Sequence, residues 1–402
     1  TTWWFGLPSS SSHALIGGLV GSAIASSDTV KWPGVIEKVV KPMIISPLLG
    51  FSAAFALTLA LQSIFKNSKR SALSPKFKIA QSISAAAMAV GHGLQDAQKT
   101  MGIITLALVI GGLHSGDSIP NWVKVAAALA IAAGTYAGGW RIMKTLILGL
   151  HRGVLEIKQF TRQRESVVFT ILFPLILLAI FGSVFKDTIA PGVNYSQYFV
   201  AGMIASGMVN SGFQQLAIMI PMERDAGGLK RLRGTPMPIA SYFIGKSILV
   251  LTSMLAQTVL LAAGGVAFFG LNLPATAEKW WLFILLLILG SANSTALGIA
   301  FAAIAKSGRG ASAIVSPVVI ILQFFSGVFF IFTQLPHWMQ QVAAIFPLKW
   351  LTQGMREVFL PDTFAAQEVA KSWETGRGIS INLIWLVLGV ALAIKTFRWD
   401  RD

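Results

Sequence analysis

Apolar residues in this chain come in unbroken runs. VVFTILFPLILLAIFGSVF (167–185) and WWLFILLLILGSANSTALGIAFAAIA (280–305) are the plainest. A helix needs about 20 apolar residues to cross a bilayer. Strands of a membrane barrel would instead alternate apolar and polar positions, and these runs do not. The pattern predicts an all-α, polytopic helical membrane protein. Candidate spans in the first part are 12–27, 42–65, 79–112 and 121–140. The third is too long for one helix and is expected to be broken or re-entrant. A basic stretch, KNSKRSALSPKFK (66–78), is expected as a loop before it. Six further spans are expected at 167–185, 197–220, 240–269, 280–305, 311–332 and 379–395.

The texture changes near residue 146, which divides the chain into expected domains 1–146 and 147–402. The first part is rich in Gly, Ala and Ser, with polar residues embedded in apolar runs. In LILGLHRGVLEIKQFTRQRES (146–166), Leu146, Leu150, Val154 and Ile157 recur at helical spacing. His151, Arg152, Lys158 and Arg162 lie off that stripe, as in a helix lying in the headgroup region or the solvated end of a membrane helix.

Composition sharpens this picture. Of 402 residues 54% are hydrophobic and 12% charged, about half the charged fraction of a soluble domain. The net charge of +16 does not point to nucleic acid, because the cations sit in short loops between spans. They precede the first of the six later spans and recur at 223–236, 306–310 and 395–402. Those are alternate connections, which places them and the C-terminus in the cytoplasm at a cell membrane. With no cysteine and five scattered histidines, the chain offers no thiolate or clustered metal site. Paired carboxylates, His/Glu metal spacing and a nucleophile elbow are also missing, which argues against an enzyme.

ERDAGGLKRLRGTP (223–236) sets Glu223, Arg224 and Asp225 before Lys230, Arg231 and Arg233. A short helix ending at Gly234 and stopped by Pro236 and Pro238 is expected there, as a protein-docking element or a solvated positive-inside loop. This loop, the preceding amphipathic helix, FFSGVFF (324–330) and FPLKWLTQGMREVF (346–359) resemble the membrane subunit of ABC-2-type ABC exporters. That family's loop reads E-R-E-x-G-T-L-K-R-L-R-x-T-P; Gly227 and Gly228 stand where it often has Gly-Thr. The resemblance covers 147–402. It implies two paired membrane subunits, as a homodimer or heterodimer, on two ATP-binding subunits. It also implies coupling through the helix around 223–234 and export of a hydrophobic, amphipathic or lipid-linked substrate. No G-x-x-x-x-G-K-[ST] loop is present, and GKS at 245–247 lacks the upstream glycine. No cofactor is expected on this chain, and ATP and Mg are expected on the partner. Asn210, Gln214, Gln215, Asn293, Ser294, Thr295 and Gln323 lie among apolar residues as cargo contacts or interhelical glue. Trp338, Trp350 and Trp373 suit short helices at the outer interface or core packing. Arg356 and Glu357 are expected near the outer surface, paired or solvated.

In the first segment, Ser9, Ser10, Ser11, Ser12 and His13 open a glycine-studded helix, where free N–H groups favour an anion or the serines simply cap. His92, Gln95, Asp96, Gln98 and Lys99 form a second polar island, and charge at membrane depth marks a substrate or ion path. GLPSSSSHALIGG and GHGLQDAQKTMG resemble two motifs of the inorganic phosphate transporter (PiT) family. The resemblance implies that the serines donate to phosphate and that Asp96 lies on the phosphate or cation path. Gln95 replaces the usual Asn; His13 and Lys99 belong to the same motifs. That family builds its site between inverted repeats. One element from each repeat is found here, and the counterparts are expected before Thr1 and after Leu146. The segment is therefore expected to be a severed part of a carrier joined to an exporter subunit, with cation-coupled phosphate transport as the alternative function.

Overall fold

The computed structural model describes residues 10–66, 70–116, 118–185, 187–305 and 307–398. It forms two compact units, Thr1–Ile142 and Met143–Asp402.

The first unit holds α1 (Ser11–Ala25), a short α2 (Trp32–Val35) leading through a π turn (Ile36–Val40) into α3 (Lys41–Phe65), then α4 (Arg70–Ile110) and the start of α5 (Asn121–Arg162). The Ser10 hydroxyl caps α1 by accepting from the His13 N–H at 3.3 Å. The break expected within 79–112 is absent, because α4 is one helix of 41 residues. Its middle is rich in alanine, the best helix former, and its one proline, Pro75, lies near the start where few ladder bonds can be lost. Residues 70–78, expected as loop, are the first turns of this helix; 67–69 lie outside the described residues. Few side chains here are buried, among them Ala97, Thr105, Val123 and Ala127. Leu48, Leu49, Phe51 and Phe55 on α3 are exposed, a surface that needs lipid or other protein against it.

The second unit continues from the C-terminal part of α5. It contains α6 (Arg164–Val167), a π turn (Val168–Leu172), α7 (Phe173–Val184) and a hairpin of β1 (Thr188–Ala190) with β2 (Val193–Asn194). Next come α8 (Tyr195–Val209), a π turn (Asn210–Gln214), α9 (Gln215–Asp225), α10 (Gly228–Arg233), α11 (Ile239–Phe269), α12 (Ala277–Phe301) and α13 (Gly308–Phe325). Short α14 (His337–Ile345), α15 (Pro347–Phe359) and the long α16 (Thr375–Thr396) close it. Among the described residues, six helices are long and apolar enough to cross a membrane, one in the first unit and five in the second. The chain is an all-α multi-pass membrane protein.

Helix α8 is the axis of the second unit, with every residue from Tyr195 to Val209 buried. Its polar groups find partners inside: Ser196 donates to the Gly182 carbonyl at 3.2 Å and Gln197 to the Gly270 carbonyl at 2.6 Å. Glycines set the closest packing, as membrane helices require in the absence of a hydrophobic drive between them. A Cβ on Gly298 of α12 would lie 2.7 Å from the Gly212 carbonyl oxygen of the π turn. Asn293 of α12 donates to the Asn382 side chain of α16 at 3.1 Å, so it serves as interhelical glue.

Beyond α13 the chain turns sharply at Gly327 (φ +73°), and side chains of α8 and α15 grip its carbonyls. Thr352 donates to Ser326 at 2.9 Å and Arg356 to Gly327 at 2.5 Å; Tyr195 donates to Phe329 and Tyr198 to Phe330 at 3.4 Å. Arg356 is wholly buried, pairs with Glu368 at 3.4 Å and lies 3.8 Å above the Tyr198 ring. Glu357 accepts from the Thr375 hydroxyl at 2.7 Å. Trp350 is core, its Nε1 donating to the Ala344 carbonyl at 2.8 Å, and Trp338 is exposed.

Two stability predictions follow from this packing. Gly298→Ala should lower the thermal midpoint in detergent, by about 1–3 kcal/mol of overpacking. Gly50→Ala, with open space around it, should leave the midpoint unchanged or raise it slightly. On α15, burial pushes the Lys349 amine down from 10.5 to about 8, opposed by Glu368 and Glu374 and aided by Arg356 and Arg377. Between those values the unfolded chain holds a proton that the folded chain has lost, so stability should rise with pH across that window. Lys349→Met should remove that rise.

Candidate functional site

The C-terminal half of α5 packs through its small residues. Gly149 meets Ile244 of α11, and a Cβ on Gly153 would lie 2.7 Å from Ile248. Leu150 and Val154, on the expected apolar stripe, are exposed. The headgroup-region helix is thus the end of a helix of 42 residues, and its buried face carries Glu156, only 1% exposed.

Glu156 is buried because cations reach it from two sides. Arg152, one turn earlier, binds it at 2.5 Å, and Lys246 of α11 binds it at 2.9 Å. Lys246 has no exposed surface. It also pairs with Glu223 at the end of α9, which Arg152 approaches to 3.7 Å. The Tyr242 hydroxyl donates to Glu223 at 2.9 Å. Two carboxylates and two cations thus form a neutral quartet joining α5, α9 and α11. Burying four charges is tolerable only with such pairing, and removing one partner typically costs about 3–5 kcal/mol.

The structure divides the six charged residues expected at the cytoplasmic loop. Glu223 turns inward to the quartet. Arg224 is half-buried, and Asp225 accepts from the Gly308 N–H at the start of α13 at 2.6 Å. Lys230, Arg231 and Arg233 are exposed on α10, which ends at Gly234 as expected. Leu229 anchors α10 in a cluster with Ile220, Tyr242, Ile299 and, at the C-terminal end of the chain, Phe397. The basic ends of α10, α13 and α16 therefore share one end of the bundle.

From the quartet a cavity of about 890 Å³ runs between α7, α8–α9 and α13. Glu156, Glu165 and Glu223 stand at one end, and Phe181, Phe329 and Phe330 at the other. Between them Gln323 donates to Ser206 at 2.7 Å and to Asn210 at 2.9 Å, and Gln214 donates to Ser316 at 3.4 Å. Asn210 and Gln214 lie in the π turn, a distortion frequent at functional sites. Gln215 also lines the cavity; Asn293, Ser294 and Thr295 do not.

In the first unit, Lys99 of α4 donates to the Ser12 hydroxyl of α1 at 2.7 Å and lies 3.9 Å from Asp96. His92 reaches Asp96 at 3.4 Å, and His13 Nδ1 lies 2.8 Å from the Ser10 hydroxyl. The two polar motifs are therefore in contact. Gln95 is exposed and outside that contact. Ser9 lies outside the described residues, and Ser11 begins α1.

Comparison with known proteins follows the same division. The profile of the phosphate transporter family matches residues 1–151, and that of ABC-2 type transporters matches 153–360. A probable low-affinity inorganic phosphate transporter of Bacillus subtilis is 43% identical over 148 residues, 36% of this chain and 44% of that protein. One from Mycobacterium leprae is 46% identical over 161 residues, 39% of this chain and 38% of that protein. The low-affinity inorganic phosphate transporter PitA of Escherichia coli is 31% identical over 133 residues, 27% of this chain and 26% of that protein. The chain thus spans less than half the length of these relatives. With Glu156, Glu223 and Lys246 of the quartet, the basic α10 and the cavity inside a match covering more than half of its length, the chain belongs to the ABC-2 type transporter family.

Proposed function

We propose that this chain is the membrane subunit of an ATP-driven exporter of hydrophobic, amphipathic or lipid-linked cargo, set in the cell membrane with its C-terminus in the cytoplasm. A partner subunit supplies the ATPase with its ATP and Mg, and two membrane subunits pair in the assembly. The observation that carries this reading is α10. It presents Lys230, Arg231 and Arg233 to solvent, while its root at Glu223 is fixed to α5 and α11 by buried charge. Exposed cations suit an acidic docking cleft and govern encounter. A rigid ionic root suits transmission, because packed elements with discrete arrangements move together. The amide-lined cavity beginning at the same root is the cargo path on this reading.

A second reading is favoured by the contact of Ser12, Lys99 and Asp96 and the phosphate transporter match of residues 1–151. On it, the first unit holds a phosphate contact and the chain works as a cation-coupled carrier.

Two experiments separate these readings. An ATP-binding protein should co-purify with the chain from its source membranes. Reversing charge at two of the α10 sites (K230E, R231E) should weaken that association at least about tenfold with no change in thermal midpoint. Undiminished association would contradict the exporter reading. In liposomes holding the chain alone, labelled phosphate should not accumulate under a proton or sodium gradient; accumulation without ATP would establish the carrier.

A further inference from the structure

The sign of the cavity's lining charge narrows the cargo. Among the described residues, its charged lining residues are Glu156, Glu165 and Glu223, and no Lys, Arg or His lines it. The quartet's cations stand behind the carboxylates. Lys246 has no exposed surface and is absent from the lining, whereas the Glu223 side chain keeps 19% of its surface. A solute moving up the cavity therefore meets a carboxylate first. Above the acids the wall is amide and then aromatic, with Phe181 stacked on Phe199 and Phe329 closing over both. Met203, Met219 and Met222 line it as well, side chains that adapt to irregular apolar bodies. An anion would be repelled at the acidic end. A cation with an apolar or aromatic body finds a carboxylate at one end and ring faces at the other.

We propose that the cavity binds amphipathic cations, and that the bound positive group shares Glu223 with Lys246. This inference rests on reading the cavity as the cargo path. Lys246 keeps Glu156 at 2.9 Å when Glu223 turns to the cargo, so the exchange leaves no buried charge alone. Glu223 lies five residues before α10 in sequence. Cargo occupancy is thereby reported to the helix that faces the motor, from a carboxylate that cargo and coupling helix have in common.

Tetraphenylphosphonium and tetraphenylborate, alike in shape and opposite in charge, test this on the full chain in lipid nanodiscs by equilibrium binding. The cation should bind saturably and the anion should not. Removing the competitor with Lys246→Met should tighten the cation several-fold. Glu223→Gln should weaken it at least about tenfold, the scale of a close charge pair. Because Glu223→Gln leaves Lys246 under-compensated, the neutral pair E223Q/K246M is measured too and should bind as weakly. Equal affinity for the two ions overturns the proposal, as does a cation affinity that E223Q/K246M leaves unchanged. The chain has no cysteine, so a single one at Ile320 on the cavity wall reports a neighbouring copy by cross-linking. Efficient cross-linking with no saturable binding of either ion would make the groove an interface between copies and overturn the proposal. None of these measurements needs an ATPase. Cation binding without any ATPase association would defeat the exporter reading alone, and the reverse result would defeat only this one.

Discussion

Lys246 has lost all its water, and two glutamates from distant parts of the sequence replace it. An ammonium so placed needs a carboxylate against it at all times, and the carboxylates in turn need Arg152. This mutual dependence fixes three elements at once. The end of α5 cannot swing from α11 without parting Glu156 from Lys246, and the end of α9 cannot drop away without stranding Glu223. Glycines at 149 and 153 bring α5 close enough to α11 for those distances to close. Helix α10 has only six residues and would be marginal alone. It inherits its position from this quartet, from Leu229 beneath it and from Asp225 at the start of α13.

The two ends of the second unit are built differently. One carries the quartet and the exposed cations. The other is held by hydroxyl, aromatic and one ion-pair contact, with Tyr195, Tyr198, Thr352 and the Glu368-paired Arg356 gripping the carbonyls of the turn around Gly327. That grip sets Phe329 and Phe330 over the cavity, so its acidic end adjoins the basic helix and its apolar end lies far from it. Among its described residues the first unit has few buried side chains. Its polar contact between α1 and α4 is exposed, and its largest apolar faces await lipid or protein.

Much of this was legible in the sequence. Six of the ten expected spans coincide with helices long and apolar enough to cross a membrane, whereas those expected at 12–27, 79–112, 121–140 and 197–220 do not, and Gly234 with Pro238 delimited the short basic helix. The two polar motifs of the first segment, picked out separately in the sequence, meet where Lys99 donates to Ser12. What escaped were long-range pairings. Glu156 looks like one acid on a basic amphipathic helix, because nothing local announces a lysine 90 residues later. Lys246 drew notice only as part of a failed phosphate-loop pattern. Arg356 reads as paired with Glu357 or solvated near the outer surface, whereas Glu368 and the Tyr198 ring enclose it and Glu357 accepts from Thr375 instead. Local pattern also misjudged α4, where length argued for a break and helix-forming alanines carried the helix through.

The most direct test of the account is a charge swap across the quartet, read as ATPase association and turnover of the assembled complex. Glu223→Lys and Lys246→Glu each leave like charges facing one another, and each alone should abolish both readouts. Combined, they restore an opposite-charge pair between positions 223 and 246 and a net charge of zero, with an acid now beside Glu156 and a cation beside Arg152, and should recover part of both readouts. A swap no better than either single change, or single changes that behave like the parent chain, would contradict the claim that this buried charge ties the basic helix α10 to the bundle.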